Sequence, residues 1–448
     1  MNFKILASAL LLSTFSTNAA NIAIIDSGTD MKHELIAPKA WINALEIADN
    51  GRDEDRNGYE DDIHGWNFAE SNNQVIDYSY LGTLNDDIKK FFSVQAKAIR
   101  GTVTPEELEW LREQVKNEEF IKKLSIYGNF MHGTHVAGIS ARMSEDSTIQ
   151  AVKLIPTEVK LPGQKSYEGT TDKGLIDTLV KKGIDLLASQ QMGMMEEIAA
   201  YVDSHKMVVA NGSFGTGYPQ AEMIIKTVYK TIMRKDPSEE NTKKYATYFI
   251  KSLIKHGSKM LDAAPRTLFV FAAGNDGLNN DEFGTSPANL KGNNVITVAA
   301  TVGFNSLASF SNYGDKMVDV AAPGVAIESA APGNEYIEVS GTSQAAPYVA
   351  GVAGKILDIN PKLTPLEVKM ILKGTVDKKD FLVSKVTTSG IVNTNRAQRA
   401  ANLSLALSVA DSVNQAKIDI LDMPTKKSVH SPVVVPGMIL PLPSQFKL

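Results

Sequence analysis

Three short segments carry the side-chain types that nucleophilic catalysis needs. Ile24-Ile25-Asp26-Ser27-Gly28 ends an apolar run on an acid, and a carboxylate at the C-terminal end of a buried strand stands where α/β sheets keep their ligand crevices. An Asp that only caps the turn before Gly28 would look the same. His132-Gly133-Thr134-His135-Val136-Ala137-Gly138 supplies a base. Two histidines three apart could share a metal on one helical face, but no Glu lies between them and no third ligand follows at zinc-protease spacing. Gly133 and Gly138 fit close helix packing better. Ser340-Gly341-Thr342-Ser343-Gln344-Ala345-Ala346-Pro347 puts a hydroxyl at the start of a helix of small residues. Free N–H groups and the helix dipole there favour developing negative charge; a plain N-cap serine is the alternative. Taken together, Asp, His and Ser on separate element ends are what one nucleophilic triad requires.

The elements that must position these groups are legible around them. Apolar runs at Ile22–Ile25, Ile149–Leu154, Met207–Ala210, Leu268–Ala272, Val295–Ala299 and Val318–Ala321 predict strands. Several are apolar throughout, as strands covered on both faces should be. They alternate with amphipathic helical stretches, which predicts an α/β domain with a mostly parallel sheet. Thr104-Pro105-Glu106-Glu107 and Thr364-Pro365-Leu366-Glu367 each read as a helix start, with Thr as cap, Pro at the first helical position and Glu closing a capping box. Polar helix-like stretches at 84–126 and 220–261 read as insertions between strands. From Ser404 onward the chain, with its Pro-rich segment Ser431–Pro443, reads as an extended or disordered tail.

Composition narrows the chemistry. The chain has 448 residues and no cysteine, which excludes disulfides, a thiol nucleophile and thiolate metal sites. A formal charge of −5 argues against a nucleic-acid partner. Residues 1–20 hold Lys4, an apolar core from Ile5 to Phe15 and the small-residue end Asn18-Ala19-Ala20, the layout of a secretory signal peptide too short to span a bilayer comfortably. The expectation is a soluble protein, secreted or periplasmic, without stable membrane insertion.

The motifs and their order resemble those of the subtilisin-like serine proteases, the subtilases. The resemblance rests on Asp26-Ser27-Gly28, His132 through Gly138, Ala272-Ala273-Gly274-Asn275 and Gly341-Thr342-Ser343. It is extended by Ser309–Gly314, Val318–Gly324, Leu363–Val368 and Gly390–Asn393. The Asp-His-Ser chain order is the subtilisin order. With the two insertions set aside, the similarity runs from Ile22 to about Asn402, so a peptidase domain is expected over 21–403, a signal over 1–20 and a tail over 404–448. The resemblance implies a three-layer subtilisin-like fold and a serine endopeptidase, active on proteins or peptides as a monomer. It implies Ser343 as nucleophile, His132 as general base and Asp26 as its orienting partner, with His135 structural. It also implies Asn275 as the side-chain donor of the oxyanion hole beside the Ser343 N–H. Ser213-Phe214-Gly215 would pair with substrate backbone and wall a specificity pocket opposite Ala272-Ala273-Gly274. The family's second substrate-pairing segment is not identifiable between Lys153 and Met207.

The run Asp53-Glu54-Asp55-Arg56-Asn57-Gly58-Tyr59-Glu60-Asp61-Asp62 spaces oxygen ligands two apart around a glycine, as calcium loops do. It is not an EF-hand, because His64 occupies the twelfth position. A solvated acidic turn is the plain alternative. Many subtilases bind structural Ca2+ at a similar loop, which implies ligation by Asp53, Asp55, Asn57, Asp62 and the Tyr59 carbonyl. Two departures stand out. Gln344 follows the nucleophile where many relatives carry Met, and no pro-region is visible between Ala20 and Asn21. The tail or the 84–126 insertion is a candidate to cover the cleft instead. A catalytically silent binding module of the same fold is the alternative function. An esterase of another fold would need a Gly-x-Ser-x-Gly elbow and the opposite triad order.

Overall fold

The computed structural model describes residues 19–158, 173–425 and 431–444. The proposed signal segment through residue 18 lies outside them. The chain starts with β1 (Asn21–Asp26), passes the acidic loop, and continues through β2 (Gly65–Asn67), α1 (Asp86–Arg100), α2 (Pro105–Gln114), α3 (Glu118–Met143), β3 (Thr148–Lys153) and α4 (Lys173–Ser204). Next come β4 (Val209–Gly212), β5 (Thr216–Gly217), α5 (Tyr218–Met233), α6 (Glu239–Ala263), β6 (Leu268–Ala272), β7 (Thr285–Ser286) and β8 (Val295–Val302). The last third holds β9 (Ser306–Leu307), β10 (Val320–Pro323), β11 (Ile327–Ala331), β12 (Glu335–Val339), α7 (Thr342–Ile359) and α8 (Pro365–Gly374). It ends with β13 (Asp377–Lys378), β14 (Gly390–Ile391), α9 (Thr394–Leu403) and α10 (Val409–Asp419).

The main sheet runs β13-β14-β10-β8-β6-β4-β1-β3-β2. Every pair from β14 to β2 is parallel, and only β13 and β9 pair antiparallel. Strand alternation sorts the core into two layers. Ile22 and Ile24 of β1 face one core with α3, α7, α8 and α9, while Ala23 and Ile25 face the other with α4, α5 and α6. Because both faces are covered, β1 is apolar without interruption from Ile22 to Ile25, as the sequence implied. The architecture is the expected three-layer α/β fold.

Both capping boxes form. Thr104 and Thr364 accept from the backbone of Glu107 and Glu367, with Pro105 and Pro365 just inside. The first polar stretch folds as α1, α2 and the opening turns of α3, so His132 lies deep inside a helix that begins at Glu118 under an Asn117 cap. The second folds as α5 and α6. The expectation that the chain is extended or disordered from Ser404 fails for α10. Ser408 caps this helix by accepting from Asp411 N–H, and Val413 and Ala416 bury one side of it in the core shared by α8 and α9. No helix among the described residues is long and apolar enough to cross a membrane.

Candidate active site

The site assembles where β1, α3 and α7 converge. Asp26 ends β1 and is fully buried. Its Oδ1 accepts from the Ser27 N–H at 2.7 Å and from His132 Nδ1 at 2.7 Å. A carboxylate can only accept, so Nδ1 carries a proton, and the neutral tautomer that this bond selects has its lone pair on Nε2. Close approach of strand and helix makes this bond possible. A Cβ added at Gly133 would lie 2.2 Å from the Gly28 carbonyl oxygen and 3.1 Å from Asp26 Cβ, and Gly28 itself sits at φ +116°. Any larger residue at 133 would push His132 away from its carboxylate.

Ser343 is the second residue of α7 and is 2% exposed. Its Oγ donates to the Ser213 carbonyl at 3.2 Å, and Ser213 Oγ donates back to the Ser343 carbonyl at 3.1 Å. The second bond has a cause in the sequence. In an α-helix the Ser343 carbonyl would accept from the N–H four residues on, but that residue is Pro347, which has none. Ser213 supplies the missing donor.

Asn275 follows β6. Its Oδ1 is held by the Thr342 N–H at 2.9 Å and the Thr342 hydroxyl at 2.8 Å, while that hydroxyl accepts from the Gly274 N–H at 3.2 Å. With the amide oxygen fixed, Nδ2 is directed into the cleft. Thr342 was not singled out in the sequence; its only local signal was its place in the Gly-Thr-Ser turn. The register of β4 beside β6, with Gly212 opposite Phe271, sets Ser213–Gly215 alongside Ala272–Gly274. The two expected pocket walls are therefore neighbours, with Phe214 buried beside Phe271.

His135 takes no part in the triad geometry. Its Nε2 donates to the Ile337 carbonyl at 3.0 Å, and Gln344 Nε2 approaches its Nδ1 at 3.5 Å. Complete burial, helped by the nearby His132, pushes its imidazole down to about 3 despite the Ile337 bond. Gln344, the residue that departs from the familiar pattern, thus faces this neutral imidazole. His132, Ser343 and Asn275 line one cavity of about 370 Å³.

The model of the Subtilase family matches residues 17–400. The chain belongs to the subtilase family. This subtilase is 36% identical over 271 residues to Subtilisin BL of Lederbergia lenta, covering 60% of this chain and 77% of that one. It is 38% identical over 138 residues to Alkaline elastase YaB of a Bacillus species, covering 30% of this chain and 34% of the elastase. It is 24% identical over 395 residues to Subtilisin-like protease 1 of Plasmodium falciparum, covering 87% of this chain and 45% of the other. The chain thus spans about a third of the elastase and under half of the Plasmodium protease.

The acidic loop of this subtilase gathers ligand-type groups in two overlapping sets within 4.8 Å, namely Asp55, Asp62 and His205, and Glu46, Asp53 and Asp55. Asn43 Nδ2 donates to both Asp55 and Asp62, and Asn57 Nδ2 does the same. Burial pushes the Asp62 carboxyl up against the opposing hydrogen bonds from Asn43, Tyr201 and Asn57. Packing like charges this closely favours a divalent cation, and the donors are mostly the oxygens that a hard ion prefers. The sequence missed Glu46 and His205. Glu46 precedes the loop and accepts from the N–H groups of Glu54, Asp55 and Asp61. His205 comes from the end of α4, beyond any local spacing signal.

Proposed function

We propose that this subtilase is an exported serine endopeptidase that hydrolyses peptide bonds through an acyl-enzyme, with 21–403 as its peptidase domain. The observation that carries this reading is the buried 2.7 Å bond between Asp26 and His132, beside a cavity that Ser343 and Asn275 also line. Ser343 Oγ turns from the Ser213 carbonyl to His132 Nε2, gives up its proton there and attacks the substrate carbonyl carbon. The carbonyl oxygen becomes an anion, stabilised by Asn275 Nδ2 and the Ser343 N–H at the α7 N-terminus. Asp26 steadies the imidazolium. The C–N bond breaks as His132 protonates the leaving amine, and a water deprotonated by His132 then hydrolyses the Ser343 ester.

The substrate lies extended along Ser213-Phe214-Gly215, where backbone pairing gives affinity with little sequence readout. One of its side chains enters between that wall and Ala272-Ala273-Gly274. Export is supported by the composition of residues 1–20 and by similarity to a Xanthomonas campestris protein named as an extracellular protease. Ca2+ is the cation proposed for the acidic loop, with Asp53, Asp55 and Asp62 of the expected ligands gathered beside Glu46 and His205, where it would neutralise the crowded carboxylates and brace the loop. Asn57, which turns its amide nitrogen to Asp55 and Asp62, and the Tyr59 carbonyl complete the expected set only if the loop rearranges around the ion. The test of function is hydrolysis of a peptide library by the full chain. Cleavage that Ser343→Ala abolishes supports the reading, and cleavage that persists in that variant refutes it.

A further inference from the structure

The cleft has an occupant, and it is the chain's own C-terminal segment. Residues 431–444 cross the site without helix or strand, turning once at 435–438, and one donor after another takes their carbonyls. Gln95 Nε2 donates to Met438, Asn275 Nδ2 to Leu440 at 3.2 Å, Gln220 Nε2 to Leu442 at 3.0 Å, and the Gly215 N–H to Pro443 at 3.0 Å. The donor proposed for the oxyanion and the wall proposed for substrate are thus both engaged by the tail.

The segment is built for this place. It has no charged residue between Ser431 and Ser444. Val435, Met438 and Leu442 are 6%, 1% and 4% exposed and belong to the main core on the α3–α7 face. Val435-Pro436-Gly437-Met438 forms a turn in which the Met438 N–H donates to the Val435 carbonyl at 3.1 Å, with Gly437 at φ +81°. Proline second and a left-handed glycine third are what a type II turn requires. The first insertion supplies the other half of the seat. The Val433 N–H donates to the Ala98 carbonyl at the end of α1, Gln95 lies on the same helix, and Leu440 Cδ1 would lie 3.3 Å from a Cβ at Gly128 of α3.

We propose that residues 431–444 are an inhibitor in cis, seated on the α1–α3 insertion and closing the catalytic cleft. This rests on the peptidase reading above. The tail resists becoming a substrate because Pro441 follows the carbonyl on Asn275. Its nitrogen carries a ring carbon where an ordinary peptide carries hydrogen, which crowds the approach of His132 to the leaving atom. Pro441 and Pro443 also cannot donate, which removes two of the backbone donors that an ordinary extended peptide would offer the Ser213–Gly215 wall.

A tethered segment acts at an effective concentration of about 1 mM, so a free-peptide Kd near ~100 µM already closes about nine-tenths of the molecules. Releasing the tail should therefore raise the rate about tenfold or more. The experiment compares the full chain with Leu442→Asp and Met438→Asp, which place a charge in buried tail positions at two sites and leave the catalytic groups alone. The readout is the rate of labelling by a serine-directed phosphonate. Faster labelling of both variants, slowed again by added peptide 431–444 in competition with the phosphonate, is the expected result. Equal, ready labelling of all three proteins would overturn the inhibitor and leave the peptidase reading standing. Labelling of none would overturn the peptidase reading and this one with it. Cleavage of the native chain between Leu440 and Pro441 would make the tail a substrate and also refute the proposal.

Discussion

The clasp between Ser213 and Ser343 can be tested quantitatively. Ser213 is fully buried, and its hydroxyl is the donor that replaces the N–H missing at Pro347. Ser213→Ala leaves the Ser343 carbonyl without that donor inside the protein, and a buried acceptor left unpaired costs about 1–3 kcal/mol. Pro347→Ala restores an N–H four residues beyond Ser343, so in the Ser213→Ala background it should recover most of that loss. The two changes should therefore couple by about 1 kcal/mol or more, well beyond the ~0.5 kcal/mol expected of independent sites. The assay is urea unfolding of the four combinations in a Ser343→Ala background. That background removes Oγ, prevents self-digestion and keeps the carbonyl in question. Equal costs of Ser213→Ala with and without Pro347 would refute the idea that the serine substitutes for the missing helical donor.

Other expectations follow from the same geometry. Asn275→Ala should retain the fold and lose about 10²–10³ in kcat, the range known for removing the matching donor in subtilisin; kcat on a peptide substrate together with a circular dichroism melt checks both halves. His135 binds its proton in the unfolded chain near pH 6.5 but in the folded state only near 3. Stability is therefore whole above about pH 6.5 and falls by about 1.4 kcal/mol per pH unit below it, so about 2 kcal/mol is gone by pH 5. Urea midpoints across that window should flatten in His135→Asn, and an unchanged slope would count against the assignment. If a divalent cation braces the acidic loop, a calcium chelator should lower Tm and added Ca2+ restore it; a Tm indifferent to both would remove the ion from the account.

What the sequence made legible was local. The apolar runs located β1, β3, β4, β6 and β10 to within two residues at either end and β8 to within three, because strands covered on both faces cannot hide among polar neighbours. The Thr-Pro-x-Glu starts of α2 and α8 are capping chemistry written in four consecutive residues. Residue type and order point to an Asp-His-Ser set, the family resemblance selects His132 over His135, and β1, α3 and α7 carry the three candidates. The parts that escaped depend on contacts distant in sequence. Ser213 completes the hydrogen bonding of a helix 130 residues away. Glu46 and His205 join the acidic loop from outside its spacing pattern. The Pro-rich segment Ser431–Pro443 reads as extended or disordered, and the structure places 431–444 without helix or strand and with one turn at 435–438. Its seat, however, lies on α1 and α3, more than 300 residues earlier, where no periodicity in the tail could point. α10 was lost to the same compositional reading, although Ser408 and Asp411 marked its start.

The central claim is that Ser343, activated by His132, is the nucleophile of this chain. Intact-mass spectrometry after exposure to a serine-directed phosphonate tests it most directly, using the native chain and Leu442→Asp alongside Ser343→Ala and His132→Ala in the Leu442→Asp background. The account predicts one adduct per molecule, mapped to Ser343, absent in Ser343→Ala and strongly slowed in His132→Ala. An adduct on another serine, or labelling at an undiminished rate without His132, would contradict it.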